Sequence, residues 1–320
     1  MKVVFFGTPI FSAEILKDLI EKGLDIVAVV TQPDKLQGRH LKLQEPAVKK
    51  MAKLVAPSIP VIQPEKISTQ QFYEQIEALN ADLFVVVAFG QIFPVELLDM
   101  PRLGCVNVHT SLLPKYRGAA PIERSIMEGE IETGVSIMYM VKALDAGDVL
   151  ATKKVKILPE MNAQDLSTEL CRSSKEILYP TLLRLNEGKV TAVAQNDELV
   201  TYAKKVTQKD AEVLWNMPAQ SIYNQYRGVS PKPGAWCYCQ IRGKSMRMKL
   251  IEIALSPLQG EPGNILSYNE EGIVLACSKA SIKLKRLQIE GKKAAHASEF
   301  IKGYLLKDVS FKSAGSLQEM

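Results

Sequence analysis

The chain has 320 residues, 47% hydrophobic and 23% charged, which excludes a disordered, fibrous or low-complexity protein and allows two domains of ordinary size. Only four apolar residues stand between Met1-Lys2 and Gly7, too few for a secretory leader, and no apolar run reaches spanning length, so a cytoplasmic protein without membrane contact is expected. The net charge of +5 is unevenly placed: residues 1–207 carry 24 Lys+Arg against 25 Asp+Glu and residues 208–320 carry 16 against 10, so the C-terminal third holds the whole excess, a hint of a polyanionic partner.

Val3–Phe6 is a short apolar run ended by Gly7 and predicts a buried strand. Ile15, Leu16, Leu19 and Ile20 then share one helical face up to Gly23, and Ile26–Val30 is a second strand. Strand, helix and strand within about 30 residues form a βαβ unit and imply a parallel sheet. A long basic connection follows, carrying Lys35, Arg39 and Lys42. Ser68 with Gln71 has the spacing of a capping box and predicts a helix to about Leu79. Leu83–Val87 and Cys105–Val108 are further buried strands, with Gly134–Met140 and Val149–Ile157 after them. Asn162 with Asp165 opens a long helix to about Asn186. The sum is an open, twisted α/β sheet that is mostly parallel.

From Asp197 to Gln208 the chain is polar and lacks a helical stripe, which predicts a linker. Beyond it, Ser245–Leu250 and Ile282–Lys285 alternate apolar with basic residues, placing Arg247, Lys249, Lys283 and Lys285 on outward strand faces. Short strands punctuated by Pro and Gly predict a small β-barrel of the OB type. The expected division is an α/β domain over 1–195, a linker over 196–207 and a barrel over 208–320.

Five cysteines, Cys105, Cys171, Cys237, Cys239 and Cys277, make an odd count without framework spacing and argue against a disulfide scaffold. Cys237 and Cys239 are spaced like neighbours on one strand face rather than like a zinc knuckle, and no metal site is expected. Gly7-Thr8-Pro9 is not a dinucleotide fingerprint, and neither a phosphate-binding G-x-x-x-x-G-K-[ST] loop nor a serine-centred nucleophile elbow occurs.

Asn107 and His109 sit two apart at the end of a strand, so both face one cleft at the edge where open α/β sheets bind ligands. An amide N–H beside an imidazole suits acyl transfer: fixed donors stabilise the oxyanion, and imidazole moves protons near neutrality. A plain strand-end pair explains the motif equally well. Residues 110–121 form an aperiodic loop of small residues and prolines suited to wrapping a flat ligand. Asp145, in Leu144-Asp145-Ala146-Gly147-Asp148, would orient His109 and favour its charged form, and Asp148 is equally eligible.

Phe6-Gly7-Thr8-Pro9, the Gly38-Arg39 loop, Asn107-Val108-His109, Ser111-Leu112-Leu113-Pro114, Tyr116-Arg117-Gly118-Ala119-Ala120-Pro121, Leu144-Asp145-Ala146-Gly147-Asp148 and Pro233-Gly234-Ala235-Trp236 together resemble the methionyl-tRNA formyltransferase family over nearly the whole chain. The resemblance implies a Rossmann-like formyltransferase domain followed by an OB-like domain, 10-formyltetrahydrofolate as donor, and initiator methionyl-tRNA as acceptor. It implies that Asn107, His109 and Asp145 are the catalytic trio, that Ser111, Leu112, Leu113 and Pro114 contact the folate, and that Arg39 enters the acceptor end of the tRNA. Lys35, Lys42 and the basic strand faces would add phosphate contacts, and a monomer is expected. Ala47 and Ala143 stand where relatives often carry proline and glycine. Two other readings stay open: a folate-dependent formyltransferase acting on a small amine, and a non-catalytic RNA-binding protein.

Overall fold

A computed structural model describes residues 1–37, 42–303 and 309–311. Two compact units are present. The first comprises Met1–Pro121, Glu132–Lys156 and Ser167–Ala203, and the second comprises Ile122–Ile131, Ile157–Leu166 and the chain from Lys204.

The first unit is built on a seven-stranded sheet. Its spatial order is Val149–Lys156, Glu132–Tyr139, Cys105–His109, Leu83–Val87, Lys2–Gly7, Asp25–Val30 and Val61–Ile62. The last five pair in parallel, and the first two are added antiparallel. All five residues of Leu83–Val87 are buried, as expected for a parallel strand covered on both faces. Phe6 on the central strand packs against Phe84, Phe89 and Phe93, with ring centroids 5.3, 5.5 and 5.0 Å away. The strand order reverses between Lys2–Gly7 and Leu83–Val87, which places the ligand crevice of such sheets at the carboxyl ends of these strands.

The predicted mostly parallel α/β sheet is therefore present. Its two antiparallel pairings, both made by Glu132–Tyr139, were not signalled, because apolar runs carry no information on strand direction. The helix expected from Ser68 is Gln70–Glu77, and its cap is Thr69, whose hydroxyl accepts from the Phe72 N–H at 3.3 Å. Thr69 occupies the N-cap one residue later than the spacing suggested. The helix Ala163–Asn186 opens as predicted: Asn162 Oδ1 accepts from the N–H groups of Gln164 and Asp165 at 2.8 and 3.1 Å, and Asp165 Oδ2 accepts from Asn162 N at 3.1 Å.

The second unit carries an antiparallel, barrel-like sheet in the order Ile265–Asn269, Gly272–Ala276, Ser281–Ile289, Lys244–Ser256, Trp236–Ile241 and Val309–Ser310. Register shifts near Leu250, Glu252 and Ile253 interrupt the long Lys244–Ser256 strand, and such bulges bend and coil a sheet. This matches the small OB-like barrel expected. The helix Ala219–Gly228 belongs to the same unit. Its buried Arg227 donates through Nη1 to the carbonyls of Leu158 and Met161 at 3.2 and 3.0 Å, which ties residues 157–166 to it.

All five cysteines are free and buried. Cys237 and Cys239 share the buried face of one strand, and burial pushes the Cys239 and Cys277 thiols up to about 11. Among the described residues no helix is long and apolar enough to cross a membrane.

Asp210 anchors Ile122–Ile131 within the second unit. Its carboxylate accepts from the Thr207 hydroxyl at 2.6 Å, the Thr207 N–H at 2.8 Å and Arg124 Nη2 at 2.8 Å, and these partners lower its pKa from 3.8 to about 2. A depressed carboxylate pKa adds stability that is present above 3.8 and is lost as pH falls toward about 2. Asp210→Asn is expected to lower Tm at neutral pH and to flatten this acid limb, as measured by thermal unfolding across that range.

Candidate active site

The parallel strand Cys105–His109 delivers Asn107 and His109 to the carboxyl edge of the sheet on the same face. Asn107 is half-buried, and its side-chain amide has no hydrogen-bond partner among the described residues. A half-buried amide with its donors free is suited to receive an oxygen from a ligand. His109 is 5% exposed. Its Nε2 donates to the Tyr116 carbonyl at 2.9 Å, and its Nδ1 faces Asp145 Oδ2 at 3.7 Å. Both ring nitrogens thus look onto oxygen atoms of the protein.

Asp145 lies between Glu132–Tyr139 and Val149–Lys156, in a left-handed conformation at φ 49°. Its Oδ2 accepts from Gly118 N at 2.8 Å, so the carboxylate is fixed chiefly by backbone and reaches His109 at longer range. Gly118 has φ +121°, and a Cβ there would stand 2.8 Å from the Ala203 carbonyl oxygen, so glycine is required where the loop offers this N–H. Asp148, the other carboxylate in the turn, is exposed, and its carbonyl serves the Tyr139 N–H. The structure therefore brings Asn107, His109 and Asp145 together.

Ser111 is fully buried; its hydroxyl donates to the Lys115 carbonyl at 2.6 Å, and its own carbonyl accepts from the Ser136 hydroxyl at 2.7 Å. Ser136 Oγ in turn accepts from Leu113 N at 3.1 Å. Ser111 thus shapes the turn, while Leu112, Leu113 and Pro114 remain half-buried along it. The Leu112 side chain fits over Gly134, where a Cβ would stand 2.5 Å from Leu112 Cδ2. At the strand-order reversal, Ala88 and Gly90 take left-handed conformations at φ 45° and 94°, pinned by hydrogen bonds from Ser12 Oγ to Val87 O and from Thr8 Oγ1 to Phe89 O.

Lys35 is exposed on a short antiparallel hairpin, Lys35–Gln37 with Lys42–Gln44, where an irregular loop was expected. Arg39 lies outside the described residues, and Lys42 is described by its backbone alone. The base of the hairpin is fixed by Asp34, which accepts from Gln63 Nε2 at 2.7 Å and pairs with Lys49 at 2.8 Å; these partners hold its carboxyl below the usual value. In the second unit, Lys249 is exposed and Arg247 lies 4.0 Å over the Trp236 ring while donating to Gln208. Lys283 pairs with Glu271 at 2.7 Å, and Lys285 with Glu252 at 3.6 Å.

Sequence reasoning missed Gln195, Thr201 and Ser136. Ser136 stood inside a predicted strand. The others lacked any pattern, since their partners are distant in sequence.

A formyl transferase model matches residues 1–182, and a formyl transferase C-terminal domain model matches residues 205–305. The two together define a formyl transferase carrying both of its domains. The methionyl-tRNA formyltransferase of Protochlamydia amoebophila is 40% identical over 315 residues, covering 97% of this chain and 98% of that one. The Geobacillus enzyme of the same name is 44% identical over 304 residues, covering 95% and 94%. The chain belongs to the methionyl-tRNA formyltransferase family. Among solved structures, the sugar 3N-formyl transferase WlaRD, crystallised in the presence of dTDP and 5-N-formyl-THF, aligns with a TM-score of 0.65 at 16% identity, covering 92% of this chain and 99% of its own. HypX from Aquifex aeolicus, in complex with tetrahydrofolic acid, aligns at 0.63 with 16% identity; this chain spans about half of it (47%). At these identities the likeness is one of fold.

Gly147 closes the turn that carries Asp145, and a Cβ there would lie 2.0 Å from the Tyr139 carbonyl oxygen. Gly147→Ala is expected to displace the turn, lowering stability by about 1–3 kcal/mol as overpacked sites do and reducing turnover with it. Urea unfolding and a transferase assay on the same preparation check both.

Proposed function

We propose that the chain transfers the formyl group of 10-formyltetrahydrofolate to the α-amine of initiator methionyl-tRNA. The observation that carries the reading is the unpartnered Asn107 amide set beside His109, with Asp145 facing the imidazole.

The donor's formyl oxygen would accept from the Asn107 amide. A free α-amine has a pKa near ~8, so a useful fraction is uncharged near neutrality and can attack the formyl carbon. A nitrogen–carbon bond forms, and the carbonyl π electrons move onto oxygen. The Asn107 N–H stabilises that oxyanion together with the Nε2–H of His109, which is shared between the oxyanion and the Tyr116 carbonyl that orients the ring. Collapse breaks the bond from the formyl carbon to the folate nitrogen. The attacking nitrogen loses one proton and the departing nitrogen gains one, a transfer that His109 with Asp145 behind it can mediate. Holding donor and acceptor in one cleft supplies much of the remaining acceleration. Leu112, Leu113 and Pro114 offer an apolar face to the flat folate ring, and Ser111 holds their turn.

The basic residues fit a phosphate-rich acceptor. Lys249 is exposed and has no ion-pair partner among the described residues, and the surface pairs of Lys283 and Lys285 are of the kind that contribute little and exchange readily for phosphate. Lys35 and Lys42 belong to the hairpin that would grip the acceptor end, Arg39 would enter that end as the family resemblance implies, and the chain acts as a monomer in this reading.

Purified protein given 10-formyltetrahydrofolate is expected to formylate initiator methionyl-tRNA in preference to the elongator form. Transfer to a small amine or amino sugar instead, or tRNA binding without transfer, would reject the reading. Replacing His109 or Asn107 by alanine is expected to lower kcat by about 100- to 1000-fold in a chain that stays folded, the usual cost of losing an oxyanion donor. The affinity for tRNA is expected to fall with salt along a log–log slope of roughly −0.7 to −0.9 per phosphate contact, and titrations at several ionic strengths check it.

A further inference from the structure

Residues 196–203 were expected to begin a linker, yet the segment 193–203 holds both loops that contact His109 and Asp145. Val193 and Val149 exchange backbone hydrogen bonds at 2.8 and 2.9 Å. Gln195 then spends its whole amide on the site. Its Nε2 donates to the carbonyls of Asp145 at 2.9 Å and Gly147 at 2.7 Å, and its Oε1 accepts from Arg117 Nε at 3.0 Å. One side chain thus joins the backbone of Asp145 to Arg117, the neighbour of Gly118, whose N–H holds the Asp145 carboxylate.

Thr201 does the same for the histidine. Its hydroxyl accepts from Tyr116 N at 2.9 Å and its carbonyl from Arg117 N at 2.9 Å. Tyr116 is thereby held at φ 61°, an unfavoured left-handed conformation that aims its carbonyl at His109 Nε2. Tyr202–Ala203 completes the strap by pairing in parallel with Arg117–Gly118. A passive linker requires none of these contacts.

We infer that residues 193–203 are a positioning element of the active site, with Gln195 setting Asp145 and Thr201 setting His109 through Tyr116. The inference rests on the reading of Asp145 and His109 as catalytic. Neither Gln195 nor Thr201 need touch substrate; each acts through the residue it fixes.

The test uses the full-length chain with Gln195→Met, which keeps length and removes the amide, Thr201→Val, Thr201→Ser, Asp145→Asn, and the Asp145→Asn/Gln195→Met double variant. Gln195→Met is expected to lower kcat by about 10- to 100-fold, the effect of a small misplacement of a reacting group, with KM for both substrates nearly unchanged. In the Asp145→Asn background the same change is expected to cost nothing further, because its effect passes through Asp145. Thr201→Val is expected to lower kcat, and Thr201→Ser, which keeps the hydroxyl, to restore it. A wild-type kcat in Gln195→Met, a loss confined to KM, or full additivity in the double variant would overturn the inference. So would equal kcat in the two Thr201 variants, and this pair decides the matter if Gln195→Met fails to fold. Near-wild-type turnover in Asp145→Asn would bring down the catalytic reading itself, which separates that failure from failure of the strap alone.

Discussion

The Asp145 carboxylate is held by a backbone N–H, and most of the site's construction follows from that hydrogen bond. Gly118 N lies 2.8 Å from Oδ2, while His109 Nδ1 lies 3.7 Å away. A carboxylate fixed by backbone cannot follow the imidazole, so the imidazole must be brought to it. The strand Cys105–His109 does this through its period of two, and Tyr116 takes the opposite ring nitrogen. Gly118 must then lack a side chain, because the Ala203 carbonyl passes where a Cβ would stand. Gly147 must lack one for the same reason against Tyr139. The two glycines keep the backbone around Asp145 close enough for that single N–H to reach its carboxylate.

How much of this was legible depended on whether the deciding contacts were local. Period-two spacing was enough to put Asn107 and His109 on one face, since strand geometry is set by adjacent residues. Asn162 with Asp165 announced its helix for the same reason, and the Thr69 cap was missed by only one position because Ser68 and Thr69 are adjacent hydroxyl residues able to cap, and the Ser68–Gln71 spacing pointed to the first. Asp145 was singled out by resemblance to a family; in the bare sequence Asp148 had the same claim, and only the folded turn separates an exposed carboxylate from a half-buried one. Residues 196–203 read as a linker, and Gln195 just before them as an unremarkable polar residue, because hydrogen bonds to segments some 50 to 85 positions away leave no periodicity. The grouping of Ile122–Ile131 and Ile157–Leu166 with the second unit escaped notice on the same grounds.

The two units solve different electrostatic problems. In the first, charge is confined: Asp34 is pinned by Gln63 and Lys49, and Asp145 by Gly118. In the second, much of the charge is left on outward strand faces. Lys283 and Lys285 hold glutamates across solvent-exposed strands, and Arg247 keeps its guanidinium flat on Trp236. A stacked guanidinium is preordered at little further entropic cost, whereas a lysine in a surface pair keeps most of its freedom. The first arrangement suits a reaction that needs fixed dipoles. The second suits a long, flexible polyanion whose phosphates exchange with carboxylates.

The burial of every cysteine has a practical consequence. Nucleophilic sulfur is thiolate, and thiols covered by the two cores and shifted upward by burial present almost none of it at neutral pH. Maleimides and other alkylating labels should therefore pass the folded chain by. A single cysteine placed on the exposed hairpin or on the outward face of the barrel would then be the one thiol in the molecule to take up a fluorophore or spin label, with no need to strip out the native five.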